Sequence, residues 1–194
     1  MRILSVALLA AATCATPAFA QDSTSFTGPH ASVFAGMEQV NTDGPDETGV
    51  IYGIAAGYDY DLGKAVVGVE VEAAESNTDY CETAVLVSSD SLCTSAGRDL
   101  YVGARAGVKI GDSSLAYIKG GYANGRLNVD YTGGAAAPAG ADYSDNVDLD
   151  GFRIGAGAEH KLASGVLVKV EYRYSEYEQE VSRHQGLIGV GFRF

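Results

Sequence analysis

Once its first twenty residues are set aside, the chain has no apolar run long enough to cross a membrane as a helix, which needs about 20 such residues. That excludes a helical membrane protein. It leaves a strand-built one open, because barrel strands alternate outward and inward side chains and dilute their apolar signal. Cations are also scarce: 13 Lys and Arg stand against 25 Asp and Glu, for a net charge of −12. A nucleic-acid partner is excluded on that ground, since nothing is left over to neutralise phosphates. Proline occurs only four times, while 25 Gly and 12 Tyr fit a sheet protein with close backbone approaches. The three histidines, His30, His160 and His184, lie far in sequence from Cys81 and Cys93, whose spacing matches no metal site. There is no Ser-containing elbow, zinc motif or phosphate-binding glycine loop. No metal, cofactor or catalytic residue is therefore expected.

The chain begins MRILSVALLAAATCATPAFA. Arg2, the apolar run Ile3–Ala12 and the small-x-small site Ala18-Phe19-Ala20 read as a secretory signal peptide over residues 1–20. Residues 21–194 then form one domain. Cys14 invites a lipoprotein reading, but Ala11-Ala12-Thr13-Cys14 lacks the usual Leu, and Ala20 offers the better cleavage site. In an exported chain, Cys81 and Cys93 are expected to form a disulfide.

Eight strands follow: His30–Gln39, Ile51–Asp61, Ala65–Glu75, Asp99–Ile110, Leu115–Leu127, Leu149–His160, Val166–Tyr177 and Gln185–Phe194. Short turns at Asp61–Lys64, Gly111–Ser114 and Lys161–Gly165 alternate with long stretches at Val40–Val50, Ser76–Arg98, Asn128–Asp148 and Glu178–His184. An outer-membrane barrel has this pattern, with short periplasmic turns, long extracellular loops and both termini in the periplasm. The period within strands is two. Leu100, Val102, Ala104, Ala106, Val108 and Ile110 share one face; Asp99, Tyr101, Gly103, Arg105, Gly107 and Lys109 share the other. In the strand Leu115–Leu127, Lys119 inward would also turn Leu115 and Tyr117 inward, so a bulge stays open there. Tyr52, Tyr58, Tyr60, Tyr122, Tyr172 and Tyr174 are candidates for interfacial girdles. The fold expected is all-β, an eight-stranded antiparallel transmembrane barrel with up-and-down meander topology.

Seven of the twelve basic residues after the leader fall on the inner face: Arg105, Lys109, Lys119, Arg153, Lys169, Arg173 and Arg193. Asp59, Glu70, Glu72, Glu159 and Glu171 are their acidic counterparts. Buried charges must be paired, at several kcal/mol each otherwise. A lumenal ion-pair network of Glu70, Glu72, Arg105, Lys119, Arg153, Glu159, Lys169, Glu171 and Arg173 is therefore expected. It reads as a structural plug or as a gate. The loop acids, among them Asp43, Asp46, Asp79, Glu82, Asp142, Asp145 and Asp148, read as solvated surface or as a cation-binding or contact surface. Ser182 and His184 with Glu178 or Glu180 permit a lipid-deacylase reading, if nucleophile, base and acid come within reach.

Three segments carry a family likeness: Gly151-Phe152-Arg153-Ile154-Gly155-Ala156-Gly157-Ala158-Glu159, Lys169-Val170-Glu171-Tyr172-Arg173-Tyr174 and the ending Gly189-Val190-Gly191-Phe192-Arg193-Phe194. With the leader, they make the chain resemble the small outer-membrane barrels that include OmpA-type transmembrane domains, porin-like surface antigens and opacity proteins. The resemblance implies a lumenal salt-bridge network and makes Phe192 and Phe194 the signal read by the barrel-assembly machinery. It implies contact with outer-membrane lipids and lipopolysaccharide in a Gram-negative cell, as a monomer. Unlike full-length OmpA-type proteins, the chain stops at strand eight, without a peptidoglycan-binding domain. Family members serve as adhesins, stress-resistance factors, structural proteins or narrow pores. The expectations are a structural or surface-contact protein with host or cell-surface ligands, a narrow porin-like channel or, more remotely, a lipid-modifying enzyme.

Overall fold

Period-two alternation over segments bounded by Gly, Asp and Ser builds strands, and here the strands close on themselves. A computed structural model describes residues 25–41, 47–83, 90–134, 142–162, 165–178 and 181–194. The leader with Cys14 and its cleavage site, the acids Asp43 and Asp46, and Glu180 lie outside them. Among the described residues nine strands are present: β1 (Gly28–Asn41), β2 (Glu47–Asp61), β3 (Ala65–Ser76), β4 (Asp79–Thr83), β5 (Ser91–Ile110), β6 (Ser114–Thr132), β7 (Tyr143–Lys161), β8 (Val166–Tyr177) and β9 (Ser182–Arg193). All pairings are antiparallel and up-and-down, and β1 pairs with both β2 and β9. β3 and β4 both pair with β5, so they are one barrel strand interrupted at Asn77-Thr78. The result is an eight-stranded closed barrel. Closure satisfies every backbone group that faces hydrocarbon.

The wall has a clear sidedness. Val33, Ile54, Val69, Val102, Ile118, Ile154, Val170 and Ile188 are more than half exposed on the outside. Arg105, Arg153, Arg173 and Glu171 are at most 4 % exposed on the inside. Five of the six expected girdle tyrosines are likewise exposed outward, and Tyr174 is partly covered by the neighbouring His184 ring. In β6 the alternation runs unbroken: Leu115, Tyr117, Lys119 and Ala123 all point inward. The ladder irregularity lies in β5 instead, between Ala96 and Asp99. At the short turns, Gly63 (φ +98°) and Gly111 (φ +69°) adopt the left-handed backbone that residues with a Cβ avoid.

β1, β2, β5, β6 and β7 run further than the sequence segments expected, whereas β8 matches its segment, Val166–Tyr177. β5 has 20 residues, while β8 and β9 have 12 each. At about 3.3 Å per residue and a tilt near 45°, 12 residues rise about 28 Å, enough for the apolar band. The upper parts of β5, β6 and β7, with β4, therefore project beyond it as a sheet. Much of what read as loop in Ser76–Arg98 and Asn128–Asp148 is this extension. Outside the lipid both of its faces are polar or mixed, so the hydrophobic alternation that marks a strand fades. Cys81 and Cys93 face each other across β4 and β5 and form a disulfide.

Two outcomes follow from this architecture. Val170→Arg, a charge in the middle of the lipid face, should cost about 2–4 kcal/mol in urea titrations of the lipid-refolded barrel. The same change at the exposed extracellular Ser144 should cost no more than about 0.5 kcal/mol. Reducing the Cys81–Cys93 bond should speed amide exchange in β4 and upper β5 while the barrel's resistance to detergent unfolding stays intact.

Candidate functional site: the charged lumen and the extracellular sheet

The lumen is filled from end to end. At the periplasmic end Phe26 is fully buried, packed on Val66, Leu115 and Tyr117. Its N–H donates to Asp61 at 3.0 Å and its carbonyl accepts from Arg193 at 2.6 Å. Lys161 lies 4.9 Å from its ring and donates to the Ser25 carbonyl at 2.9 Å. Asp61 is also held by Lys109 at 2.8 Å. Above this cork, Glu159 accepts from Arg105 at 3.0 Å and Arg193 at 2.7 Å. Asp59 lies 3.2 Å from Arg105, 2.8 Å from Arg193 and 3.6 Å from His30. The Arg105 and Arg193 contacts are ionic, and none of the three is aligned as a hydrogen bond.

At mid-height Lys119 is a three-way junction, with Glu70 at 2.9 Å, Glu72 at 2.6 Å and Glu171 at 2.8 Å. Arg173 donates to Glu72 at 2.6 Å and to Glu171, and Tyr117 donates to Glu171 at 2.5 Å. Arg105 reaches up to Glu70 at 3.5 Å, joining the lower cluster to this one. Arg153 joins it to the upper cluster, contacting Glu72 at 3.3 Å and Asp99 at 2.6 Å. At the top, Gln185 bridges Asp99 and Glu38, and Glu38 accepts from Thr78 at 2.8 Å and from Ser76. The interruption between β3 and β4 is what turns Thr78 over Glu38. Val40, Ala123, Leu149, Tyr177 and Val181 form an apolar lid.

Small inner residues make room for this. A Cβ on Gly157 would meet the Tyr117 hydroxyl at 2.7 Å, and one on Gly189 would meet the Lys169 stem at 2.9 Å. Long side chains from one strand thus occupy the space that glycine leaves on the next.

Eight of the nine expected lumenal residues stand in ion pairs of 4 Å or less. Lys169 joins the network at longer range, through its charge on Glu70 and Glu171. It is buried, its ammonium lies 5.6 Å from the Phe34 ring, and among the described residues no carboxylate stands within 4 Å of it. Lys109 sits at the periplasmic rim, not within the lumen. Sequence reasoning missed Glu38, Arg183, Gln185 and the cork Phe26 altogether. Arg183 read as loop because Ser182-Arg183-His184 has no apolar alternation. It is fully buried in β9, packed on Tyr177 at 5.3 Å, with Asp99 3.7 Å and Glu38 3.9 Å away. With these included, the barrel interior buries seven acids (Glu38, Asp59, Glu70, Glu72, Asp99, Glu159, Glu171) and seven bases (Arg105, Lys119, Arg153, Lys169, Arg173, Arg183, Arg193).

Among the described residues the possible acyl-transfer groups are not assembled, and Glu180 lies outside them. Nδ1 of His184 is engaged by the Tyr172 hydroxyl at 2.6 Å. Among the described residues no group of three or more His, Cys, Asp or Glu is placed to hold a metal.

A model of the outer membrane protein beta-barrel domain matches residues 6–194. The chain belongs to that family. Such barrels reside in the outer membrane of Gram-negative bacteria among its lipids and lipopolysaccharide, with the termini on the periplasmic side. The barrel is similar to the 25 kDa outer-membrane immunogenic protein of Brucella ovis, 27 % identical over 142 residues. That match covers 73 % of this barrel chain and 62 % of the relative, so the chain spans about three fifths of that protein's length. Its fold resembles Ail, the attachment invasion locus protein of Yersinia pestis (TM-score 0.60, 17 % identity, 87 % of this chain and 99 % of that one). It also resembles Neisserial surface protein A (TM-score 0.57, 16 % identity, 87 % and 98 %).

The extracellular sheet carries a second arrangement, on its outer face. Arg126 grips Asp148 through Nε at 2.7 Å and Nη2 at 3.0 Å, and Arg98 lies 3.4 Å from the same carboxylate. The hydrogen bond from Arg126 holds the Asp148 carboxyl below its ordinary 3.8. Likewise, the bond that Tyr80 donates to Glu82 raises the Tyr80 phenol above 10.0.

Because the Asp148 value is depressed by folding, its contribution is present above the ordinary carboxylate range and is lost as pH falls through the lowered value. In an NMR titration Asp148 should protonate below pH 3.8, and Arg126→Gln should move the midpoint up toward that value. In the lumen, Glu72→Gln strips one charge from Lys119, Arg153 and Arg173 together. It should cost about 3–5 kcal/mol, the usual loss when one partner of a buried pair is removed, read as a lower urea midpoint.

Proposed function

We propose that the protein is a sealed outer-membrane scaffold that acts by surface contact through its extracellular sheet. The filled lumen carries this reading. Among the described residues, buried charged side chains run through the lumen between the Phe26 cluster below and the Val40, Leu149 and Val181 cluster above, which supports a lumen without an open water path. Eight strands give an interior just wide enough for side chains, and seven charges of each sign occupy it. What the barrel offers its surroundings is then the sheet that stands beyond the lipid.

Residues 1–20 serve as the export signal on this reading. Phe192 and Phe194, both exposed near the end of the chain, serve as the assembly signal. The barrel works as a monomer in contact with lipopolysaccharide. Ail of Yersinia pestis has been solved with the heparin analogue sucrose octasulfate. The described extracellular part here carries Asp79, Glu82, Asp130, Asp142, Asp145 and Asp148, with Arg98 and Arg126 drawn to Asp148. That charge favours cationic partners over sulfated polyanions.

In planar bilayers the refolded chain should give no reproducible conductance steps. Steps that recur, and that Glu70→Gln or Arg105→Met alters, would replace the scaffold reading with the porin-like channel gated by its ion pairs. A deletion strain should lose adhesion to host or neighbouring cells, and adhesion should return with the intact gene.

A further inference from the structure

On the lipid face, the outward residues of β1, β2, β3 and β9 dip into a hollow of about 520 Å³ with an almost wholly apolar lining. Its floor is the rung Ala31–Ala56, flanked by Phe192 on β9 and Val71 on β3, with Val33 and Ile54 on the rung above. All six side chains are exposed. Ala56 lies five residues above the end of β2 at Asp61. At about 3.3 Å per residue and a tilt near 45°, that is a rise of about 12 Å. One leaflet contributes about 15 Å of hydrocarbon, so an acyl chain anchored at the periplasmic rim reaches the hollow.

The path down to that rim carries polar groups without protein partners. Tyr58 and Tyr60 stand outward on β2, opposite Val69 and Val67 of β3, and such rings settle at headgroup level. Near the extracellular rim Tyr122 donates to Asp150, Tyr174 donates to Glu176 at 3.2 Å, and Tyr172 is bonded to His184 at 2.6 Å. The Tyr58 and Tyr60 hydroxyls have no such partner among the described residues. Below them β2 turns into β3 through Leu62-Gly63-Lys64, with Leu62 and Lys64 exposed. Among the described residues no carboxylate stands within 4 Å of the Lys64 ammonium, and the neighbouring Asp61 is held by Lys109 at 2.8 Å. In the other direction the first outward charge on these strands is Glu75, and Arg98 across from it is drawn to Asp148 at 3.4 Å. A phosphate is thus attracted toward the periplasm and opposed toward the exterior. A second copy of the chain fits less well, because a two-fold contact would set hollow against hollow.

We propose that this face holds one anionic phospholipid of the periplasmic leaflet, its phosphate at Lys64, its ester oxygens at Tyr58 and Tyr60, and an acyl end over Ala31 and Ala56. One lysine at a headgroup is worth about a fivefold preference for an anionic lipid.

The experiment uses the full chain in nanodiscs of equal phosphatidylglycerol and phosphatidylethanolamine. Native mass spectrometry after release should show one retained phosphatidylglycerol per chain, about fivefold over phosphatidylethanolamine. Lys64→Gln should erase that preference with unchanged resistance to heat unfolding. Ala56→Phe, which fills the hollow, should lower retention of both lipids at least fivefold. Ala158→Phe, on the lipid face of β7, should leave retention unchanged. A paramagnetic label at the acyl end should broaden the Ala31 and Ala56 methyl signals, and one on the headgroup should broaden the Lys64 amide. With lipid A in place of phosphatidylglycerol, Lys64→Gln should change nothing; a Lys64-dependent retention of lipid A would overturn the choice of leaflet. Equal retention of the two phospholipids by the parent chain, several lipids retained without saturation, no effect of Lys64→Gln, or dimers that Ala56→Phe abolishes would each overturn the proposal.

Discussion

A fixed charge inside an eight-stranded cylinder has nowhere to find water, so it must find its opposite. Eight strands leave an interior that side chains just fill, and an ion stripped of water there loses several kcal/mol unless another group replaces the solvent. Of the seven acids and seven bases buried there, all but Lys169 stand within 4 Å of an opposite charge. They do so as one connected system, because a few residues belong to two clusters at once. Arg105 ties Asp59 and Glu159 to Glu70, and Glu72 ties Lys119 and Arg173 to Arg153. The same crowding explains the glycines opposite Tyr117 and Lys169. It also makes the register of every strand hard to alter. A slip by one residue would swing the whole charged set of that strand into lipid and strand its partners on the neighbours.

The barrel was legible in the sequence because period-two alternation is a local property that lipid on one face and charge on the other both enforce. Arg153 beside Ile154, or Glu171 beside Val170, already states which side is which. Legibility stopped where that contrast stops. Above the membrane both faces of β5, β6 and β7 meet water, so Asn128–Asp148 reads as loop although much of it is paired strand. The partners of a charge were equally hidden. Lys169 and Lys119 look alike in sequence, but one rests against Phe34 and the other against three carboxylates. Phe26 was the least readable of all, since its meaning depends on Asp61 and Arg193, 35 and 167 residues away.

The two ends of the barrel are built on different principles. The periplasmic end is closed by one aromatic ring held by backbone and cationic contacts, with short turns that leave little to vary. The extracellular end lacks lipid to enforce its geometry. Its sheet is held by strand pairing, by the disulfide between β4 and β5 and by the exposed grip of Arg126 on Asp148. Exposed ion pairs contribute little to global stability, so this sheet is expected to open locally while the barrel stays folded.

That difference decides where function can reside. Among the described residues the buried lumenal charges sum to zero, so their excess of acid belongs to the residues outside the lumen. Only those exterior charges project a field into the surroundings, and it reaches about 8 Å at physiological salt. A substitution among the lumenal residues disturbs many partners at once, whereas Ser144, Asp145 or Asn146 changes at small cost to the fold. On the proposed reading, a contact surface needs that freedom, and the paired lumen supplies the rigid base from which it can be used. An open pore would ask the opposite of the same residues: a lumen loose enough to pass solutes and charges free to let go of one another, which the junctions at Lys119 and Glu72 work against.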